Sequence, residues 1–235
     1  MKLFRTIRQN LITEGKLKRY LLYAIGEILL VMIGISLAFQ VNNWNDNRIK
    51  KNAEINYYKN IRNQIEDDKE LIESQRDFNN HFMPQFKYAI EIIETNNRSN
   101  LDSLGHILRN LTQYSDFDRH GNIYETMVNS GEIKILRNLD IVNSIRELEE
   151  MYIYINRMES IHYDAMMRYV ALALNPVLKL STGEIKKADA VFTYEFQNLI
   201  VILIQVMEEK DSTYDNALDQ IKRVSQLIDK QLIED

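Results

Sequence analysis

The chain has 235 residues, a formal net charge of −5 and no cysteine, which excludes thiolate metal sites, disulfide scaffolds and thiol nucleophiles. Met1–Tyr20 carries six basic residues and one acidic one, leaving 23 basic against 33 acidic for the remainder; a surface of that sign repels phosphate, so nucleic acid is not an expected partner. With two prolines and seven glycines, long helices are the natural outcome, and beyond its anchor the chain is of single-domain size.

Leu3, Phe4, Ile7, Leu11 and Ile12 recur at helical spacing between Lys2, Arg5 and Arg8, the pattern of a short basic helix lying in a membrane surface. Glu14 and Gly15 are expected to bend the chain into the next element. Leu21–Phe39, LLYAIGEILLVMIGISLAF, makes a helix of roughly 28 Å at about 1.5 Å per residue, close to a hydrocarbon core of ~30 Å. Glu27 interrupts it. Its cost of about 3 kcal/mol is outweighed by the Leu, Ile, Val and Phe residues at roughly −0.3 to −0.6 kcal/mol each. The span is expected to insert, and an acid inside it is by default a functional candidate. Gly26, Gly34 and Ala38, spaced by eight and four residues, form a small-residue stripe that permits close helix approach and self-association. Asn42, Asn43 and Trp44 mark the far interface, where an indole prefers the headgroup level.

Lys2, Arg5, Arg8, Lys16, Lys18 and Arg19 before the span face Arg48, Lys50, Lys51 and Lys59 after it, a bias that keeps the N-terminus cytoplasmic. A cleaved signal peptide is the rival reading, because Ser36 and Ala38 are small and two apart; the apolar run is longer than such peptides use. The expected organisation is a basic amphipathic tail over residues 1–16, a transmembrane helix over 17–44 and a periplasmic helical bundle over 45–235.

After Trp44 no breaker appears until Pro84, so the membrane helix is expected to continue outward. Its stripe runs through Ile55, Tyr58, Ile61, Ile65, Ile72, Phe78, Phe82, Phe86, Ile90 and Ile93, mostly three or four apart. Pro84 lies within that pattern and is expected to kink the helix rather than end it. Asn100 or Asp102 is placed to cap a short helix through about Thr112. Tyr114–Asn122, YSDFDRHGN, reads as a loop. Its Asp116, Asp118 and Gly121 resemble the start of a calcium loop, but His120 takes the third ligand position and Met127 stands where a bidentate Glu is needed. An ordinary capped turn is expected.

Ile123–Asn129 reads as one or two helical turns stopped by Ser130-Gly131. A long helix follows from about Asn138 to Leu174, ended by Asn175-Pro176. Leu178–Lys187 reads as a linker turning at Ser181-Thr182-Gly183. The last helix is expected from about Ala190 to Leu232, with Leu199–Gln205 as its most deeply buried part; that run is too short for a second span.

FRTIRQNL at Phe4–Leu11, YAIGEILLVMIGISLAFQVNNWN at Tyr23–Asn45 and YETMVNSGEIKILRN at Tyr124–Asn138 together resemble an uncharacterised family of small single-pass inner-membrane proteins of Gram-negative bacteria. The resemblance implies topology and helical content, and it implies that Glu27 and the Asn42–Trp44 cluster belong to the family pattern. It brings no activity and no catalytic residue.

Chemistry is sparsely signalled. A di-iron bundle needs Glu-x-x-His on two helices plus a Glu from each of two more; one half-motif is present, Glu159-Ser-Ile-His162. No G-x-S-x-G elbow and no Gly-rich phosphate cradle appears. Tyr57, Tyr58, Tyr152 and Tyr154 stand at adjacent or alternate helical positions, so some face water. The reading is all-α: a transmembrane helix continuing into an elongated, mostly antiparallel bundle, without metal or cofactor, and not an enzyme. The expected role is structural, scaffolding or partner-regulating. The expected partners are the lipid bilayer, further copies of the chain through the span and bundle, and an unidentified membrane or periplasmic protein. The alternatives are a ligand-sensing bundle that signals through a separate membrane partner, and a metalloenzyme.

Overall fold

The computed structural model describes residues 17–119 and 121–234. The surface helix read into Leu3–Ile12, the Glu14–Gly15 bend and His120 lie outside them. The architecture is all-α, in two compact units, one up to Glu54 and one from Ile55 onward. Helix α1, Leu17–Glu94, contributes to both and runs through Pro84 without ending.

In the first unit the physics is one of exposure. Every Leu, Ile, Val, Met and Phe side chain from Leu21 to Val41 is between 51% and 71% exposed. A soluble surface does not tolerate so long an apolar sleeve, and this is the one described helix long and apolar enough to cross a membrane.

The second unit continues with a 3₁₀ turn Arg98–Asn100, α2 Leu101–Asn110, α3 Ile123–Ser130 and a 3₁₀ turn Glu132–Ile135. Then come α4 Leu139–Ala165, a π-helical turn Met166–Val170, α5 Ala171–Leu174, strands β1 Leu178–Lys179 and β2 Glu184–Ile185, α6 Ala188–Val191 and α7 Tyr194–Glu234. The caps explain several boundaries. The Asn122 side chain accepts from the Glu125 N–H at the start of α3, and Asn138 accepts from Asp140 and Ile141 at the start of α4. Gly131, at φ +77°, ends α3 in the left-handed region that glycine enters without penalty. Asn100 stands at the N-cap of α2 but donates to the Tyr88 hydroxyl, 3.0 Å away, so the predicted side-chain cap is not made.

Cross-helix bonds set the directions. Along α1, Arg62, Asn79, Lys87 and Glu94 meet Asp229, Asp211, Glu208 and Gln197 of α7 in that order, so the two helices are antiparallel. Along α4, Asn138, Ser144 and Glu159 meet Gln231, Gln220 and Tyr214, which makes α4 antiparallel to α7 as well. The α1 segment in this unit and α4 therefore run parallel. Two parallel helices cannot be joined by a short hairpin, so residues 95–138 must travel back along the unit, laying α2 and α3 down on the way.

Two apolar clusters result. Phe86–Ile93, α2, Val170–Leu178 and the first half of α7 form one; Tyr58–Ile72, Phe117–Leu136, Ile141–Ile155 and Tyr214–Ile228 form the other. Three sequence expectations are corrected here. Leu178–Lys187 is not a plain linker but a two-stranded ribbon, Leu178 opposite Ile185 and Lys179 opposite Glu184, because Gly183 at φ +75° closes the turn. The helix expected from Ala190 breaks after α6 and restarts at Tyr194, where the Thr193 hydroxyl accepts from the Phe196 N–H. Leu199–Gln205 is not the deepest part of α7, since Ile200, Leu203 and Ile204 are buried while Ile202 is 54% exposed.

The ribbon closes on α2 at one point. A Cβ on Gly105 would overlap the carbonyl oxygen of Gly183, so backbone packs against backbone there. Gly105→Ala is expected to lower stability by about 2 kcal/mol, read as a lower urea midpoint by circular dichroism; an unchanged midpoint would show that the ribbon can move off α2 freely.

Candidate functional site

Between the two apolar clusters, each long helix of the second unit places polar side chains where its buried stripe would otherwise continue. On α1 these are Gln75 and Asn79, on α4 Glu159 and His162, on α7 Lys210, and all five are buried. Glu159 and His162 are 3% exposed and Lys210 is 2% exposed. Charge this deep in a bundle is costly unless it is met by donors and acceptors.

Much of the meeting is done by the loop between α2 and α3. Glu159 Oε1 accepts from the Phe117 N–H at 2.9 Å and from the Tyr214 hydroxyl at 2.7 Å. The Tyr114 hydroxyl donates to the Glu159 carbonyl oxygen at 3.3 Å, and its ring lies edge-on to His162. Lys210 Nζ stands 3.5 Å from His162 Nδ1 and 5.8 Å from the ring centres of both Tyr114 and Tyr214. An ammonium can only donate, so while Lys210 carries its proton Nδ1 is the bare nitrogen and the ring proton sits on Nε2. On the α1 side, Asn79 donates to Asp211 at 2.7 Å and Gln75 to the Asp116 carbonyl at 2.8 Å.

Burial disturbs every titration in this layer. It raises Glu159 above the ordinary carboxylate range, opposed by the Tyr214 hydroxyl, the Phe117 N–H and the charge of Lys210. It lowers Lys210, opposed by Glu159, Asp211 and Asp116. His162 is pushed down to about 4, by burial first and then by Lys210. Near neutrality its imidazole is therefore uncharged.

The far half of the same loop is fastened through Arg119. Its guanidinium makes two bonds to the Glu149 carboxylate, at 2.8 and 3.0 Å, lies 3.3 Å from Asp68 Oδ2 and covers the Tyr152 ring at 4.2 Å. The Asp68 side chain is 3% exposed, and burial raises its titration against the pull of Arg119. Gln64 donates to the Gly121 carbonyl and accepts from the Ile123 N–H. What reads in sequence as an ordinary capped turn is a strap bonded to α1 and α4 from several sides. Between strap and α4 lies an open cleft of about 800 Å³ whose lining includes Tyr114, Asp116, Arg119, Asn156, Glu159 and Tyr163.

The Glu159-x-x-His162 half-motif does point into the protein, but toward an ammonium, which repels a metal cation from the same nitrogen. Among the described residues no three His, Asp or Glu side chains gather as metal ligands. Of the tyrosines, Tyr58 and Tyr152 are core residues, whereas Tyr57 and Tyr154 donate to Glu132 and Glu209. An open groove of about 750 Å³ between α4 and α7 is lined by Glu147, Tyr154, Glu209 and Arg223 among others.

The residues singled out from sequence lie elsewhere. Gly26, Glu27, Gly34, Ala38, Asn42, Asn43 and Trp44 all belong to the first unit, on α1. A Cβ on Gly26 or Gly34 would meet nothing within 4 Å, so that stripe is open. Asn42 donates to Asp46 at 3.3 Å, and the Arg48 guanidinium lies 5.3 Å from the Trp44 ring centre. Sequence reading missed Asp68, Arg119, Glu149 and Lys210. For Asp68 the available signal was register: like Gln75 and Asn79, it falls three residues from an apolar position, Ile65, Ile72 and Phe82 respectively, on stripe positions that an amphipathic helix fills with apolar side chains.

Comparison with known proteins yields one match. The model of a family described as a family of unknown function (DUF6090) matches residues 27–210. No curated protein matches the chain, and no solved structure does.

Arg119→Met takes the counter-charge from Asp68 and is expected to destabilise the chain by about 3–5 kcal/mol, because the remaining carboxylate is buried without its partner. Adding Asp68→Asn is expected to restore at least half of that loss in chemical denaturation. A double variant no more stable than the single one would mean that the two side chains do not act as a pair.

Proposed function

The chain belongs to this family of unknown function, and we propose that it is a membrane-anchored, non-enzymatic protein whose helical unit has a structural, scaffolding or partner-regulating role. The observation that carries the reading is the apolar sleeve of α1 from Leu21 to Val41, exposed on every Leu, Ile, Val, Met and Phe side chain. Lipid is the solvent that removes the cost of that exposure. Trp44 and the Arg48 beside it suit the headgroup level at the end of such a span.

The excess of basic residues before the span supports a cytoplasmic N-terminus and a second unit outside the cytoplasm, and the resemblance carried by Phe4–Leu11, Tyr23–Asn45 and Tyr124–Asn138 supports the inner membrane of a Gram-negative bacterium as the location. The open stripe of Gly26, Gly34 and Ala38 supports association of the span with a second copy or with another membrane protein. A non-enzymatic role is favoured by the way the buried polar layer spends its charged and hydroxyl groups on one another. A ligand-sensing role is the second reading, favoured by the cleft under the strap; a small molecule retained through purification and lost on altering Tyr163 would support it.

The absence of cysteine makes the test direct. The full chain is expected to sediment with membranes, to stay there through an alkaline carbonate wash and to leave on addition of detergent. A single cysteine at Asn216 is expected to react with an impermeant maleimide added outside spheroplasts. Full-length product in the supernatant without detergent overturns the anchor, and labelling only after lysis overturns the orientation.

A further inference from the structure

We propose that the contact between His162 and Lys210 is an acid-sensitive latch on the strap: a proton on His162 unseats the Tyr114–Phe117 half of the loop and widens the cleft beneath it. This goes beyond the anchoring role and does not depend on it.

The argument is geometric. His162 and Lys210 are both almost wholly buried, and the ammonium stands 3.5 Å from the bare ring nitrogen. Among the described residues no carboxylate lies within ion-pair distance of Lys210 to absorb a second positive charge. A proton on Nδ1 turns an acceptor into a donor and sets two cations against each other where both side chains are almost wholly buried. The side chain packed over both is Tyr114, its ring edge-on to His162 and within 5.8 Å of the ammonium. Tyr114 and Phe117 are also the strap residues tied to Glu159, one turn of α4 away from His162. The far half of the strap is held separately by Arg119 and Gln64. Separation of the layer therefore leaves the near end of the strap with only the Gln75 bond to the Asp116 carbonyl, while the far end keeps its charged fastening.

Every element packed on the layer contributes groups that weigh in the balance. α4 brings Glu159; α7 brings Asp211 and Tyr214; the strap brings Tyr114 and Asp116. α1 brings the neutral Gln75 and Asn79, with its Arg76 held at Asp215 by a 3.2 Å ion pair. His162 titrates at about 4 in the closed layer against an ordinary 6.5. A ring that takes its proton more readily when solvated favours the open form as pH falls below 6.5, with the effect complete near pH 4. Glu159 and Asp211, both raised by burial, act in the opposite direction, since acid relieves the cost of their ionisation. Both carboxylates remain when His162 alone is replaced, so comparison with such a variant isolates the imidazole.

The test uses the full chain in detergent with Ser115→Cys as its single thiol, carrying a nitroxide. Between pH 7.5 and 4.5 the ratio of mobile to immobilised label is expected to rise, by on the order of 70-fold relative to the same chain with His162→Gln, from the ordinary and shifted values above, while helical ellipticity stays constant. With His162→Gln, which keeps an acceptor toward Lys210 and cannot take the proton, the ratio is expected not to rise, because only the opposing carboxylates Glu159 and Asp211 still respond. An equal response in both chains overturns the latch, as does mobility that appears only together with loss of helix. Should His162→Gln fail to fold, proton resonances of the imidazoles in the unaltered chain decide: one histidine titrating near pH 4 supports the proposal, and all four near 6.5 overturn it.

Discussion

A carboxylate removed from water must find its hydrogen-bond donors inside the protein, and much of the second unit is arranged around how Glu159 does so. Its two donors come from different places, the Phe117 N–H of the strap and the Tyr214 hydroxyl of α7. One α4 side chain thus fixes a loop and a helix at once. Lys210 and His162 complete the layer, and neither makes sense alone. The ammonium needs the ring nitrogen to be bare, and the bare nitrogen needs a donor. Groups so interdependent are worth more in setting a unique arrangement than in raw stability, because an apolar layer of the same volume would avoid the cost of dehydrating them.

The strap follows from direction. Parallel running of α4 and the α1 segment obliges residues 95–138 to recross the unit, and a crossing segment that is not regular helix must satisfy its backbone groups some other way. Gln64 and Gln75 of α1 do this by reaching the carbonyls of Gly121 and Asp116, and Glu159 does it by taking the Phe117 N–H. Arg119 adds a charged fastening whose partners, Asp68 and Glu149, stand on the two helices the strap crosses. The long side chains that seem surplus on the core stripe of α1 are the ones that hold the return path.

How much of this was legible in sequence depends on whether the signal was local. The Gly131 stop, the start of the long helix near Asn138 and the apolar sleeve each reside in a few consecutive residues, and they are found where the pattern puts them, as is the all-α class. The ribbon at Leu178–Ile185 was not legible, because two residues per strand carry no alternation and the contact that holds them is with Gly105, far away in the chain. The polar layer was half legible. Glu159 and His162 were noticed for their spacing, but their partner is an ammonium on another helix, and no spacing rule connects Lys210 to them. The small residues Gly26 and Gly34 are placed on an exposed helix, where a Cβ would meet nothing within 4 Å, so the chain itself does not show what their stripe packs against.

The distribution of α7 between the two apolar clusters has a consequence for biogenesis. Its first half, through Met207, closes one cluster and its second half, from Tyr214 to Ile228, closes the other. Both clusters therefore wait for the last of the described helices to emerge during translation, with their other walls already made and exposed. Such non-local closure comes late in folding and leaves greasy intermediates exposed to aggregation. A product terminated early by a stop codon before Tyr194 leaves both clusters lacking one wall, and it presents to proteolysis a set of half-covered helices.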